Sequence, residues 1–238
     1  MHVLLTRPGA ESGQLARRLE QDGHQTSVSP VLEIIRRAAI PAMPDCDAVV
    51  VASARVFTDA AIAGRATNWN VLPVYCVGQG TAAAARHAGF EQIAAVAPTA
   101  HALLALIAAS LPAPARLLYL AGKDRKPLLE NRLQASGHDV RTIVIYEAAA
   151  SAALSGSAQT ALKAGRIDAI LHFSRRSAEI FAQLALAAGV ADHAAACRHI
   201  CISADTALGL QNLPGASADI ATSPDTEAVL ACVNRIAN

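Results

Sequence analysis

A chain of 238 residues suffices for one large domain or two small ones, with a real core in either case. Apolar residues make up 53% of it but aromatics only 3%, so the interior must be built from Ala, Val, Leu and Ile, the usage of helices packed on parallel sheet. Lys and Arg number 20 against 19 Asp and Glu, which excludes the basic footprint of a nucleic acid binder, and the longest apolar run, Ala102 to Ala109, falls far short of the ~20 residues that span a bilayer.

The first predicted strand, Val3 to Leu5, runs into Thr6-Arg7-Pro8 and then a helix that Ser12 is expected to cap and Gly23 to end. A loop of this kind offers helix N-terminal amides to an anion, and Arg7 adds a fork that fits a carboxylate. The plain alternative is a turn with a surface salt bridge. Arg7 follows the strand with no apolar h-region or small-residue cleavage site, which reads as a cytoplasmic protein. Short β-branched runs then alternate with Ala/Leu-rich helical stretches: Ala48 to Val51, Val74 to Val77, Ile93 to Val96, Leu117 to Leu120, Ala169 to Phe173, His199 to Ile202 and Asp219 to Ala221. Strand, helix, strand in that rhythm predicts parallel sheet. Thr81, Asp205 and Asp225 are expected helix caps, and Gly89 and Gly137 expected helix ends.

The strand at Val74 opens onto Gly78-x-Gly80-Thr81, part of a dinucleotide fingerprint. The acidic residue that would hold a ribose after the next strand is missing from "AAVAPTA", and the same glycines and the Thr81 hydroxyl suit any carboxylated ligand. After Leu120 come Gly122, Lys123 and Arg125 at a strand-to-helix turn, with a solvated loop as the bland reading. Tyr146, in a predicted linker, could donate a proton to a leaving hydroxyl or simply pack. Ser53 and Ser174 end equivalent strands and, without a G-x-S-x-G turn, read as ligand-binding hydroxyls or helix caps. The five cysteines suit reduced core thiols. Cys197 and Cys201 beside His193 and His199 match no standard zinc spacing.

An internal repeat organises these elements. "LARRLEQDGH" (Leu15 to His24) aligns with "LENRLQASGH" (Leu129 to His138), "DAVVVAS" (Asp47 to Ser53) with "DAILHFS" (Asp168 to Ser174), and "CVGQGTAAAARHAG" (Cys76 to Gly89) with "CISADTALGLQNLPG" (Cys201 to Gly215). The pieces come in an order that places one α/β domain inside another. The expectation is two similar flavodoxin-like α/β domains: residues 1–33 plus 150–238, and an inserted domain over 38–145. Linkers at about 34–37 and 146–149 would join them. The crossing segments, Val31 to Arg37 and Arg141 to Ala148, would pair as a two-stranded β hinge with a ligand cleft between the domains.

Together "LLTRP", "CVGQGTAAAARHAGF", "LLYLAGKDRKPLLENRLQASGHDVRTIVIYEA" and the "S…TA" elements of the C-terminal half resemble the uroporphyrinogen-III synthase family across nearly the whole chain. Two stretches depart from its pattern. The usual "TS-x-NG" is "ASARVF" (Ala52 to Phe57), and "IG-x-x-TA" is "ISADTA", with Ser203 for glycine. The resemblance implies a lyase that cyclises hydroxymethylbilane, a flexible polycarboxylate tetrapyrrole, with loss of water and inversion of ring D through a spiro intermediate. It implies that Tyr146 assists departure of the hydroxyl and that Arg7, Ser53, Thr81, Gly122, Arg125, Ser174 and Thr206 contact substrate. It also implies no metal or organic cofactor, and the predicted fold gives no reason to expect more than a monomer. A nucleotide- or NAD-binding α/β enzyme and a non-catalytic two-lobed ligand-binding protein are the alternatives.

Overall fold

The computed structural model describes residues 1–36, 45–58 and 71–237. Arg37 of the first crossing segment and residue 38, where the inserted domain is expected to start, lie outside the described residues. The chain separates into two compact units, residues 1–33 with 149–238 and residues 34–148.

Unit 1 is built from β1 (His2–Leu5), α1 (Gly9–Gln21) and β2 (Gln25–Val28). These are completed, after the inserted residues, by α5 (Gly156–Lys163), β9 (Ala169–His172), α6 (Arg175–Ala187), α7 (Ala191–Ala195), β10 (Arg198–Cys201), α8 (Ala204–Ala207), β11 (Ser217–Ile220) and α9 (Thr226–Ala237). Its strands lie in the order β11-β10-β9-β1-β2, all pairs parallel. Numbered along the chain, that is the flavodoxin order 2-1-3-4-5.

Unit 2 comprises β4 (Ala48–Val51), a 3₁₀ turn (Ala54–Thr58), β5 (Val74–Val77), α2 (Gln79–His87), β6 (Ile93–Ala97), α3 (Ala100–Ser110), β7 (Arg116–Gly122), α4 (Leu128–Ala135) and β8 (Asp139–Ala150). With β3 (Leu32–Arg36) at the edge, its strands run β3-β8-β7-β4-β5-β6. Leaving β3 aside, this is the order 3-2-1-4-5, so the flavodoxin order expected of both units does not describe unit 2. The physical reason is where each unit begins in the common cycle of elements. Unit 1 opens with the strand-helix-strand piece, β1-α1-β2, that closes unit 2 as β7-α4-β8. The chain passes between the units inside β3 and inside β8.

Both sheets are covered on two faces, which is why central strands such as β4 (AVVV) and β9 (AILH) read as nearly unbroken apolar runs, while the edge strands β2 and β11 do not. Val3 and Leu5 of β1 pack with Leu15, Leu19 and Val229 on one side, and Leu4 with Leu162 and Phe181 on the other. In unit 2, Val49 and Val51 face Phe57 and Phe90, while Ala48 and Val50 face Leu103, Ile107 and Leu129. No helix is long and apolar enough to cross a membrane among the described residues.

Gly23, Gly89 and Gly137 close their helices at φ of 83°, 94° and 88°, the left-handed region that glycine enters without cost. Three predicted starts shift. Ser12 and Thr81 lie within the first turns of α1 and α2 because Pro8 and Gly78 hold the cap positions, and Ser203, not Asp205, caps α8. Asp225 does cap α9, its Oδ1 accepting from the Ala228 amide at 2.8 Å.

One polar pair sits in the core of unit 1. His172 and His199 have no exposed surface, and their rings stack at 5.2 Å, with Phe181 edge-on to both. His199 Nε2 lies 3.0 Å from the Ala194 carbonyl, which can only accept, so it carries the proton. His199 Nδ1 therefore accepts from His172 Nε2, also at 3.0 Å. Both rings are thus neutral, and His172 Nδ1 is a lone pair with no partner. Burial, and the neighbouring His199, hold His172 well below its ordinary pKa; burial lowers His199 to about 4. With both nitrogens engaged, His199 is not a metal ligand, and Cys197 Sγ donates to the Ile167 carbonyl at 3.1 Å. Burial pushes the Cys197 thiol up to about 11 and the Cys201 thiol to about 12, which keeps both protonated.

Candidate functional site

An open parallel sheet binds ligands beyond its C-terminal strand ends, where the strand order reverses. In unit 1 that point lies between β1 and β9, and in unit 2 between β4 and β7. Most of the candidate residues collect around these two points.

At the unit 1 point, Thr6 is buried and its Oγ1 donates to the Leu171 carbonyl at 2.7 Å, tying the exit of β1 to β9. Arg7 lies with its guanidinium carbon 4.5 Å from the centre of the Phe173 ring and pairs with Glu11 one turn into α1. Burial lowers the Arg7 pKa, but a guanidinium stays charged at any relevant pH. The contact with Phe173 and the ion pair with Glu11 hold the guanidinium at the exit of β1. Sequence reasoning missed Phe173, although the repeat aligns it with Ala52 and so marks it as an aromatic peculiar to this unit.

Ser174 caps α6, its Oγ accepting from the Ser177 amide at 3.2 Å and sharing a hydrogen bond with Ser177 Oγ at 2.8 Å. Thr206 is 2% exposed and its hydroxyl is 3.1 Å from Ser203 Oγ, inside the cap of α8. Both hydroxyls are engaged by their own helix starts. Ser203 takes an extended φ of −158° and supplies the cap, so the place where the family has glycine asks for no left-handed backbone here.

At the unit 2 point three separate stretches converge. Ser53 follows β4, Gly122 ends β7, and Tyr146 lies on β8 rather than in a linker, opposite Gly122 at a bulge in the β7–β8 pairing. Tyr146 is half-buried, and its Oη donates to Ser53 Oγ at 3.1 Å. Ser53 Oγ also accepts from the Arg55 amide at 3.3 Å at the start of the 3₁₀ turn. That turn buries Val56 and Phe57, the latter edge-on to Phe90 at 5.4 Å, which accounts for "ARVF" where the family has a polar turn. Gly122 sits directly under the tyrosine: a Cβ there would lie 2.7 Å from Tyr146 Cζ and 2.9 Å from its Oη.

Arg125 is not an open fork. Its guanidinium grips Glu130 and donates to the Gly122 carbonyl at 3.0 Å. Burial acts to raise the Glu130 pKa, but the Arg125 and Thr142 hydrogen bonds and the Arg125 charge outweigh it, leaving the carboxyl below its ordinary value. Lys123 pairs with Glu147 at 3.1 Å. Thr81 is buried in the first turn of α2, behind a Gly78 at φ 85°. Among the described residues no three His, Cys, Asp or Glu side chains converge as metal ligands do.

Two parallel α/β units with cationic and hydroxyl groups at their switch points, and a seated phenol in one of them, place the chain among α/β proteins whose candidate sites lie at the strand ends. More narrowly, the chain belongs to the uroporphyrinogen-III synthase family, whose model for uroporphyrinogen-III synthase HemD matches residues 13–231. Its fold is similar to that of uroporphyrinogen-III synthetase from Helicobacter pylori, at 20% identity over 99% of both chains and a TM-score of 0.63. It is also similar to a mutant uroporphyrinogen III synthase from Thermus thermophilus, at 19% identity over 99% of this chain and 98% of that one, with a TM-score of 0.52. Comparison with the curated proteins finds no match.

Proposed function

We propose that this cyclising lyase closes hydroxymethylbilane into uroporphyrinogen III with Tyr146 as the proton donor to the departing hydroxyl. Family membership supports the overall reaction, and the observation that carries the residue assignment is the seated phenol at the β4–β7 switch point. In this reading the Tyr146 proton passes to the terminal hydroxyl, water leaves, and the resulting azafulvene is attacked by the substituted carbon of ring D. The spiro intermediate reopens and recloses with that ring inverted. Because the substrate cyclises unaided to the wrong isomer, the protein's main contribution is to hold the bent geometry. Arg7 and the amides opening α1, α2 and α6, with Ser174, Thr81 and Thr206 lining the strand ends, are the proposed grips on its carboxylates.

The test generates hydroxymethylbilane in situ, adds the protein, oxidises the products and separates the porphyrin isomers. Isomer III is expected. Tyr146→Phe should lower kcat about tenfold, at or below the low end of general-acid contributions, because an electron-rich pyrrole already expels hydroxide easily. Isomer I alone from folded protein would overturn the function, and full activity in Tyr146→Phe would overturn the role of the phenol.

A further inference from the structure

The hydroxyl pair Tyr146–Ser53 has more support around it than a single hydrogen bond needs. Four consecutive residues, beginning with the last of β7, support the tyrosine, three by acting on its ring or strand and Arg125 through Gly122. Gly122 leaves the space for its ring, and the Lys123 amide donates to its carbonyl at 2.8 Å. Asp124 accepts from the Ala148 amide at 3.3 Å, and Arg125, locked by Glu130, donates to the Gly122 carbonyl. The ring is therefore fixed from below and its backbone from the side, which leaves the phenol oxygen one seat, opposite Ser53 Oγ. Ser53 in turn is held by the Arg55 amide, so neither partner depends on a flexible loop tip for its position.

A serine hydroxyl can accept from a phenol and can equally donate to it once the phenol proton has gone. We infer that Ser53 is a positioning residue for Tyr146 rather than a contact to substrate carboxylates. It holds the phenol in the ground state and turns its own O–H onto the phenol oxygen as charge develops there. The inference rests on the reading of Tyr146 as proton donor. The proton on Tyr146 Oη moves to the terminal hydroxyl, the carbon–oxygen bond breaks with its electron pair going to oxygen, and water departs. The negative charge left on Oη is met by the Ser53 O–H. The proton released when the closed ring regains aromaticity returns to Oη and restores the original hydrogen bond.

The experiment measures kcat and KM in the isomer-resolved assay for Ser53→Ala, Ser53→Thr, Tyr146→Phe and the pair Ser53→Ala with Tyr146→Phe, each shown to be folded by circular dichroism. Loss of one hydrogen bond to a charged oxygen corresponds to a fall in kcat of about tenfold for Ser53→Ala, with KM near that of the parent protein. Threonine should restore most of it. In the Tyr146→Phe background Ser53→Ala should change kcat by less than about twofold, because the group it serves is already gone. A rise in KM at constant kcat, or the same loss in both backgrounds, overturns the inference while leaving the proton donor in place. Undiminished kcat in Tyr146→Phe overturns the donor reading, and the inference with it.

Discussion

Gly122→Ala isolates the seat of the tyrosine. The backbone of Gly122 is not left-handed, so contact rather than conformation excludes a side chain there. The added carbon would meet Tyr146 Cζ at 2.7 Å and both Cε2 and Oη at 2.9 Å, where carbon atoms settle at roughly 3.5–4.0 Å. The ring must therefore retreat by nearly 1 Å, and it carries Oη out of its 3.1 Å hydrogen bond to Ser53. Overpacking of this degree costs about 1–3 kcal/mol, and the lost hydrogen bond about 1 kcal/mol more. Urea unfolding followed by circular dichroism should show a loss of about 2–4 kcal/mol, and kcat should fall at least as far as in Tyr146→Phe. The control is the same substitution in a Tyr146→Ala background, where the ring is gone. There alanine should be neutral or should stabilise by ~0.5 kcal/mol, because it restricts the unfolded chain more than glycine does. An equal cost in both backgrounds would falsify the account of Gly122 as the space reserved for the ring.

Other consequences can be measured as directly. His172 and His199 are held below their ordinary pKa when folded, so the unfolded chain binds the extra protons as the pH drops, and stability present above about pH 6.5 should drain away toward pH 4. Replacing both by valine, which unit 2 carries at the aligned positions Val51 and Val74, should flatten urea midpoints across that window, and an unchanged slope would refute the assignment. Gly209→Ala would drive a methyl into the Arg175 carbonyl and within 2.8 Å of Ala178 Cβ at the start of α6. A loss of about 3 kcal/mol is expected there, despite the better helix propensity of alanine, and an unchanged Tm would contradict the packing. Arg7→Ala should raise KM several-fold, on the order of 1 kcal/mol of binding, with little change in kcat; the opposite split would remove Arg7 from the grip on substrate.

The parallel α/β class was legible because buried strands write themselves as runs such as Ala48 to Val51 between amphipathic helices. The repeat even aligned β4 with β9 and β5 with β10. The strand order was not legible, since the same aligned pieces fit either numbering until the edge positions of β2 and β6 are known. Helix ends marked by Gly23, Gly89 and Gly137 followed from a local backbone requirement. Helix starts at Ser12 and Thr81 did not, because Pro8 and Gly78 take the same role four and three residues upstream. Ser53, Gly122 and Tyr146 stood out singly, but their meeting depends on β7 lying between β4 and β8, a tertiary fact. The engagement of Arg125 by Glu130 was hidden for a similar reason: the pair bridges a loop and a helix rather than one helical turn. The histidine pair could have been suspected from two histidines standing where the repeat has valines. That they touch requires the β9–β10 register, in which His172 lies opposite Cys201 and so diagonally beside His199.

The interruption of unit 1 also bears on the order in which the molecule can assemble. During synthesis β1, α1 and β2 emerge first, yet β1 pairs with β9, Leu5 with Leu171, so this opening piece stays incomplete until the ribosome has passed the whole of residues 34–148. Those intervening residues are contiguous and hold a full sheet of their own, so they can fold while the opening piece waits. Once they have done so, β3 and β8 lie side by side, and the two ends that must meet are already neighbours. What would have been the closure of a very long loop becomes the closure of a short one, and the entropy of that search is spent inside unit 2.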